Sequence, residues 1–439
     1  MNRTSGQPEA LLGEDGRAFR TVLPSGLRIV TETIPGLASE TVGVWADSGS
    51  RDESELTAGS THFLEHMLFK GTRARTAAQI ARTFDRIGGD SNAVTAKEFT
   101  CYYARCLVAD LGSAVDVLWD MVLDPLLDPG EFERERGVIL EELAMAADDP
   151  QDVLYEAFDE LIYPGHPLGR PIGATKGRIR ALDHATLLAH YRGAYTADRL
   201  VFVAAGGAEH AEVVERVTTA IAQLRPALLA PPGPAEDQTR PRSARSRPAF
   251  SAGVRSIRRD TEQQGLLYGV DGVSAVSEDR FAFSVLQSLL GGGMSSRLFQ
   301  SVREEHGLAY SVHCSSSQHA DCGDFALYAG CAPESAQRVL ELCDAEFRRL
   351  AEEAPDAEEV EEVAAQLAAS TVLGLESTAT RMNRLASAEL YGIALRSPEE
   401  IVARVRAVSA QDVRALAEAL YAGPKALATV GPRELTLPA

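Results

Sequence analysis

The order of apolar and polar positions is repeated in the two halves of the chain. Residues 99–104 have the pattern of a strand, and a helical pattern follows near residues 114–121. The same order returns at residues 325–330 and 335–347, so the second copy begins 226 positions after the first, at residue 325 instead of 99. Each copy combines strands, helices and an antiparallel meander rather than a regular strand–helix alternation. The sequence therefore predicts an α+β fold of two homologous units, each an antiparallel sheet with packed helices.

A stretch with the composition of a linker separates the two copies. Residues 224–251 are rich in proline at first, and the polar part that follows contains Arg240, Arg242, Arg245 and Arg247. Segments of this composition join domains without forming a core of their own. We therefore expect domains at residues 1–223 and 252–439, joined by a linker at 224–251.

An H-x-x-E-H motif is the strongest chemical signal, and it consists of His62, Glu65 and His66. This order of residues is the signature of the inverzincin zinc hydrolases. Residues four apart lie one turn apart on the same helix face, so both histidines can reach one ion while Glu65 stands beside them as a base. A side-chain cap from Ser60 or Thr61 is expected to begin this helix.

A second helix offers carboxylates that could complete a metal site. Asp128 and Pro129 have the composition of an N-cap and a first helical residue, and the pattern continues to the Asp149–Pro150 pair. Glu135 and Glu142 lie two turns apart on one face of this helix, so one can bind the metal while the other orients a ligand histidine. We expect the remaining glutamates, Glu131, Glu133 and Glu141, to form a solvent-facing stripe.

These residues resemble the pitrilysin and mitochondrial processing peptidase family of zinc peptidases. In that family a glutamate ligand follows the motif at a distance like the seventy-five residues that separate His66 from Glu142 here. The resemblance implies one Zn²⁺ per chain, held by His62, His66 and Glu142, with Glu135 as the supporting carboxylate. Glu141 is the nearest rival for the third ligand.

The resemblance extends to two further segments. Residues 88–95 resemble the substrate-binding edge strand of the family, in which Asn92 and Ala93 match the contacts to the substrate backbone. An edge strand exposes unpaired backbone groups to which an extended peptide can add. Arg303 and Tyr310 match an arginine and a tyrosine seven residues apart that the family places opposite the zinc. The glycines at 291–293 lack the spacing of a phosphate loop, which we exclude.

Composition narrows the classes of partner. The chain is 45% hydrophobic and 24% charged, with a formal charge of −20. This charge argues against nucleic acid and suits a basic peptide substrate. Asp152 and Glu156 match the acidic pair that processing-peptidase relatives use to hold a substrate arginine, although a solvated acidic helix face explains them equally well.

Several features indicate a cytoplasmic protein that does not bind membranes. There is no apolar run long enough to span a bilayer, and the first twenty residues carry acidic groups instead of a basic start and an apolar stretch. The six cysteines form no C-x-x-C pair and are expected to be reduced.

The resemblance implies a zinc metalloendopeptidase that cleaves peptides or unfolded protein segments. Four units of this kind enclose a chamber in the family, so this chain resembles half a chamber and a homodimer is expected, with Arg303 and Tyr310 acting either in cis or in trans. The alternative is a noncatalytic scaffold or partner subunit of the same fold; such subunits typically lose motif residues, and none is missing here. A third possibility is a zinc-dependent protein that captures peptides without cutting them.

Overall fold

The computed structural model describes residues 6–12, 17–231 and 245–438. The strands are β1 (Glu9–Ala10), β2 (Ala18–Val22), β3 (Arg28–Thr33), β4 (Ser39–Ala46), β5 (Ser91–Thr95), β6 (Thr100–Leu107), β7 (Leu200–Gly206), β8 (Gly253–Arg258), β9 (Gln264–Asp271), β10 (Ala309–Gln318), β11 (Gly323–Cys331) and β12 (Lys425–Gly431).

The helices are α1 (Ser60–Leu68), α2 (Ala77–Ile87), α3 (Leu111–Leu123), α4 (Pro129–Asp148), α5 (Pro150–Ile162), α6 (Lys176–Ala181), α7 (His184–Ala194), α8 (His210–Leu224), α9 (Arg280–Gly291), α10 (Ala336–Glu352), α11 (Ala357–Gly374), α12 (Thr378–Tyr391), α13 (Pro398–Arg406) and α14 (Ala410–Tyr421). The strand and helix patterns predicted for both copies correspond to β6, α3, β11 and α10.

The chain folds into two compact units that exchange segments. The first unit comprises Met1–Leu143, Pro171–Arg240 and Gly374–Arg396, and the second comprises Ala144–Arg170, Pro241–Leu373 and Ser397–Ala439. The predicted domains, 1–223 and 252–439, were continuous stretches and did not include this exchange. Residues 232–244 of the predicted linker lie outside the described residues. Its described parts contain Leu224, the last residue of α8, and a short 3₁₀ turn, Pro226–Leu229, but no strand.

The first unit is built on a seven-stranded sheet with the order β1-β2-β3-β7-β4-β6-β5. All neighbouring strands are antiparallel except β3 and β7, which are parallel. One apolar core contains the buried side chains of α1 and α3, such as Phe63 and Trp119. A second apolar cluster packs α12 against strands of the same sheet, with Met382 and Leu385 beside Trp45. The sheet is therefore covered on both faces by helices, one of them from the far end of the sequence.

The second unit is built on a five-stranded sheet with the order β10-β11-β9-β12-β8. This order reproduces that of β5-β6-β4-β7-β3, including the single parallel pair, which is β8 with β12. Helices α10 and α14 contribute to one core, while α5 packs with Phe158 against the other face. The two units are thus copies of one α+β arrangement, as predicted.

In the part of the chain that the structure describes, every helix is too short or too polar to cross a lipid bilayer.

Candidate metal centre

Helix α1 carries the H-x-x-E-H motif and is fixed by its apolar face. Leu64, Met67 and Leu68 are fully buried in the core of the first unit, as the pattern predicts. The predicted side-chain cap from Ser60 or Thr61 is wrong, because the N-cap is Gly59, with a φ of 89° and no side chain to accept a hydrogen bond.

The cap comes instead from a carboxylate upstream of the helix. The two oxygens of Glu53 accept hydrogen bonds from the backbone N–H groups of Gly59 (2.8 Å) and Thr61 (2.6 Å). A carboxylate at this end also interacts favourably with the helix dipole. A side chain at Gly59 would collide with Ile179, because an ideal Cβ lies 2.7 Å from its Cδ1. The start of α1 is therefore set by a loop residue and a close approach, and not by its own side chains.

The two histidines of the motif lie side by side. Their ring centroids are 4.9 Å apart with the planes inclined at 76°, as expected for positions one turn apart on a helix. Burial lowers the pKa of His62, and the nearby Glu142 carboxylate opposes that shift. A lowered pKa favours the neutral imidazole, which is the form that binds a metal ion.

Helix α4 brings two carboxylates to these histidines. It begins as predicted, since Oδ1 of Asp128 accepts hydrogen bonds from the backbone N–H groups of Gly130 and Glu131. Phe132 of α4 stacks on Phe63 of α1, with ring centroids 4.5 Å apart. This aromatic contact holds the two helices together close to the motif.

The exposed carboxylate of α4 completes a group of three metal-binding side chains. Oε1 of Glu142 lies 3.7 Å from Nε2 of His62, and Oε2 lies 3.4 Å from Nε2 of His66. One ligand atom from each of these residues lies within 4.8 Å of the others, and the described residues contain no second group of this kind. Two imidazoles and a carboxylate with an open side are the donor set of a catalytic zinc site, so the residues fit this ion.

The buried carboxylate of α4 supports His66 from behind. Glu135 is 4% exposed, and its Oε2 lies 3.2 Å from Nδ1 of His66. Its other oxygen, Oε1, pairs with Nζ of Lys70 at 2.7 Å. A hydrogen bond from Nδ1–H to Glu135 leaves Nε2 of His66 available on the side of Glu142. Glu141, the rival for the third ligand, is exposed and is not part of the group.

The remaining motif residue, Glu65, is held by the edge strand. Oγ1 of Thr95, the last residue of β5, donates a hydrogen bond to Oε2 of Glu65 at 2.5 Å. The base predicted from the motif therefore lies against the strand predicted to bind substrate.

Strand β5 forms one edge of the first sheet, and Asn92 and Ala93 lie in it. Backbone bonds join Arg105 to Asp90 and Ala96 to Phe99, so the even-numbered residues between them face β6. The backbone groups of Ser91, Ala93 and Thr95 therefore point to the open edge. Consistent with this, the N–H of Ala93 donates to the side chain of Asn92 at 2.9 Å.

Comparison with known sequences identifies the family. Residues 28–176 match the family described as "Insulinase (Peptidase family M16)", and residues 181–367 match the "Peptidase M16 inactive domain". An uncharacterized zinc protease of Streptomyces coelicolor is 44% identical over 417 residues, which cover 95% of this chain and 90% of that protein. The chain belongs to the M16 family of peptidases.

Other M16 relatives agree with this assignment. An uncharacterized zinc protease of Bacillus subtilis is 35% identical over 415 residues, covering 94% of this chain and 98% of that protein. The crystal structure of a protease from Helicobacter pylori superimposes with a TM-score of 0.85 at 21% identity, covering 95% of this chain and all (100%) of that one. A Pseudomonas fluorescens structure described as a peptidase M16 inactive domain gives 0.84 at 20% identity, covering 96% and 100%. The resemblance to the pitrilysin family and the fold are confirmed, and the chain is a member of a hydrolase family whose relatives are named zinc proteases.

Among the described residues of this M16 chain, the second unit has no counterpart of the metal group. The position 226 residues after His62 is Ser288, in the middle of α9. Within the described residues the one metal-binding group lies in the first unit. The name of the family's second domain, which matches residues 181–367, agrees with this.

Arg303 and Tyr310 contact each other in the second unit. Nη1 of Arg303, in the π-helical turn Phe299–Glu305, donates to the carbonyl oxygen of Tyr310 at 2.9 Å. The guanidinium carbon also lies 4.5 Å from the centroid of the Tyr310 ring. The register of β10 shifts between Ala309 and Ser311, so Tyr310 occupies a bulge, and it is 79% exposed. The bulge and the arginine together turn the phenol towards solvent.

The acidic pair proposed for specificity lies on α5, which is also in the second unit. Asp152 and Glu156 are both exposed and lie one turn apart. Three residues that contact the site were not predicted from the sequence, namely Glu53, Lys70 and Thr95. Lys70 follows His66 by four positions and could have been expected near the motif, but its partner, Glu135, lies on another helix, and nothing local indicates the other two contacts.

Proposed function

We propose that the protein is a zinc metalloendopeptidase of the processing-peptidase type that cleaves peptides or unfolded protein segments. The observation that carries this proposal is the convergence of His62, His66 and Glu142, with Glu65 on the same helix as the two histidines. A zinc ion held by these three ligands would act as a Lewis acid that polarises a carbonyl group and acidifies water.

The protein's own groups would perform the remaining steps. The Glu65 carboxylate would accept a proton from the attacking water and deliver it to the departing amine, because a carboxylate in reach of both can act as base and then as acid. An extended peptide would add to β5 through the backbone of Ala93, with Asn92 at its side. Arg303 and Tyr310 would donate hydrogen bonds to the substrate backbone and to the developing oxyanion.

The decisive experiment replaces the base while leaving the ligands intact. Glu65→Gln is expected to keep one zinc per chain and to lose peptide hydrolysis by roughly 10² or more, the scale of acid–base assistance. Zinc content is measured by mass spectrometry of the metal, and hydrolysis with a peptide library in the presence and absence of a chelator. Wild-type turnover in zinc-loaded Glu65→Gln would exclude this mechanism.

The same assay separates the alternatives. A noncatalytic scaffold would leave the library uncut by the wild-type protein whether or not zinc is bound. A zinc-dependent peptide binder would retain peptides without cutting them, and a chelator would release them. The complete set of motif residues favours the enzyme over both alternatives.

We further propose a homodimer in which Arg303 and Tyr310 act on the site of the partner subunit. This rests on the family resemblance and on the location of the metal group and the Arg303–Tyr310 pair in different units of one chain. Mixing inactive Glu65→Gln and inactive Tyr310→Phe proteins under subunit exchange is expected to restore one intact site per heterodimer. Verified exchange without recovery would exclude action in trans.

The proposed substrates carry a basic residue before the cleaved bond. Asp152 and Glu156, one turn apart on α5, offer two carboxylates to one guanidinium. Replacing them with Asn and Gln is expected to remove a preference for Arg or Lys in the cleavage profile while leaving zinc content unchanged.

We place the enzyme in the cytoplasm, because its six cysteines are buried and form no disulfide. Cell fractionation tests this.

A further inference from the structure

Thr95 lies at the junction of two parts of the proposed active site. It is the last residue of the edge strand β5, and its hydroxyl donates a hydrogen bond of 2.5 Å to the Glu65 carboxylate of α1. We propose that Thr95 is a positioning residue that holds the base Glu65 in register with the peptide bound at the edge strand. This inference rests on the proposed function of Glu65.

The hydrogen bond fixes which oxygen of Glu65 is available. Thr95 occupies Oε2, and no other described residue donates a hydrogen bond to this carboxylate, so Oε1 is left to accept a proton. A glutamate side chain has several rotatable bonds, and its rotamers must be restricted before the carboxylate can act in one place. Hydrogen bonds to an ionised acceptor are short and strong, which suits this purpose.

The backbone of Thr95 connects the base to the substrate. The backbone N–H and C=O groups of successive residues in β5 point alternately to β6 and to the open edge. Those of Ala93 and Thr95 point to the open edge, where an added peptide would pair. Side chains of alternate residues lie on one face, so the Thr95 side chain shares the face of Ala93, which is 5% exposed. Helix α1 packs against β5. One residue therefore contacts the base through its side chain and faces the peptide edge with its backbone.

The test removes the hydroxyl without changing the shape of the side chain. Thr95→Val is isosteric and favours a strand. Thr95→Ala is a second variant that lacks the hydroxyl, whereas Thr95→Ser retains this hydrogen-bond donor. The matched control is Thr100→Val, since Thr100 is the cross-strand partner of Thr95 on β6 and its hydroxyl bonds to the carbonyl of Ser48 at 2.9 Å. A general loosening of the strand end would affect this control as well.

The first readout does not depend on activity. With ¹³C at the glutamate carboxyl carbon, the Glu65 signal is identified by its loss in Glu65→Gln. Thr95→Val and Thr95→Ala are expected to shift this signal, whereas Thr95→Ser and Thr100→Val leave it in place. An unmoved signal in both removal variants would overturn the inference.

The second readout is kinetic. Thr95→Val is expected to lower kcat by roughly ten- to a hundredfold, the scale of a misplaced catalytic group, with KM within about twofold and one zinc per chain retained. Thr95→Ser is expected to recover most of the loss. Unchanged kcat in Thr95→Val, or an equal loss in Thr100→Val, would overturn the positioning role. If the wild-type protein cuts no peptide, the proposed function fails, while the carboxyl signal still decides whether Thr95 holds Glu65.

Discussion

At the scale of single residues, burial determines the charge of a carboxyl group inside the first sheet. Glu40 of β4 is 1% exposed, and its Oε2 accepts a hydrogen bond from the backbone N–H of Ala208 at 2.9 Å. Burial raises the pKa of Glu40 to about 8, although the hydrogen bond from Ala208 acts in the opposite direction. The folded protein therefore holds a proton on Glu40 that the unfolded chain loses near its ordinary pKa.

This difference predicts how stability depends on pH. Because the pKa of Glu40 is higher in the folded than in the unfolded state, its contribution to the free energy of unfolding is fully present at acid pH. This contribution is lost as the pH rises towards 8. Glu40→Gln cannot ionise and keeps an acceptor for Ala208. Its melting temperature is expected to exceed that of the wild type by several degrees at pH 9, with a smaller difference at pH 6. A constant difference in melting temperature between Glu40→Gln and the wild type from pH 6 to pH 9 would show that Glu40 does not titrate in this range.

The proposed third zinc ligand, Glu142, can also be tested by single substitutions. Glu142→Gln is expected to weaken zinc binding by at least tenfold, because an amide is a poorer ligand than a carboxylate for this ion. The adjacent Glu141→Gln is the matched control and is expected to bind zinc like the wild type. Zinc affinity is measured by competition with a chelator. Weak binding by Glu141→Gln alone would assign the ligand to Glu141.

At the scale of elements, the start of α1 depends on Glu53 in the preceding loop. This residue is 4% exposed and accepts two N–H groups of the first turn. The first turn leads directly into His62, so its order affects a proposed ligand. The start of α1 is thus fixed by a contact from outside the helix.

Removing the Glu53 cap is therefore expected to weaken zinc binding. Glu53→Ala is expected to cost about 2 kcal/mol of stability, the upper range for a helix cap, and to weaken zinc binding roughly tenfold through disorder near His62. Glu53→Gln, which keeps one acceptor, is expected to lie between Ala and the wild type. Ser409→Ala, which removes the cap of α14 in the second unit, controls for lost stability alone. Equal zinc affinities in Glu53→Ala and Ser409→Ala would show that the Glu53 cap has no specific influence on the metal site.

At the scale of the whole molecule, each unit includes a segment from the other half of the sequence. Helix α12 contributes Arg381 and Arg384, which pair with the buried Glu32 of β3 at 2.5 and 3.0 Å. It also places Met382 and Leu385 against the first sheet. Helix α5 covers a face of the second sheet in the same way. Without these helices an apolar sheet face and a carboxylate would lose their partners, which is costly in both cases.

The exchange predicts that the halves do not fold separately. Residues 1–231 and 245–439, produced alone, are expected to aggregate, whereas co-expression is expected to yield a soluble complex that binds zinc. Copurification through a tag on one fragment, followed by thermal unfolding, measures this. A soluble 1–231 fragment with a cooperative transition and normal zinc affinity would contradict the proposed dependence.

The sequence by itself determined the duplicated α+β fold, the motif helix, the limits of α4 and the candidate ligands. The motif helix and the limits of α4 depend on residues a few positions apart, such as His62 and His66 or the Asp128–Pro129 start, and such local patterns are visible in one sequence. The duplication was visible as a repeat 226 positions apart, and Glu142 was indicated by the family resemblance. Tertiary structure alone decided the Glu53 cap, the Lys70 and Thr95 contacts and the exchange of α5 and α12. Each of these features brings together residues from separate elements that pack on one another. The sequence alone does not show which distant residue a given hydroxyl, carboxylate or apolar face contacts.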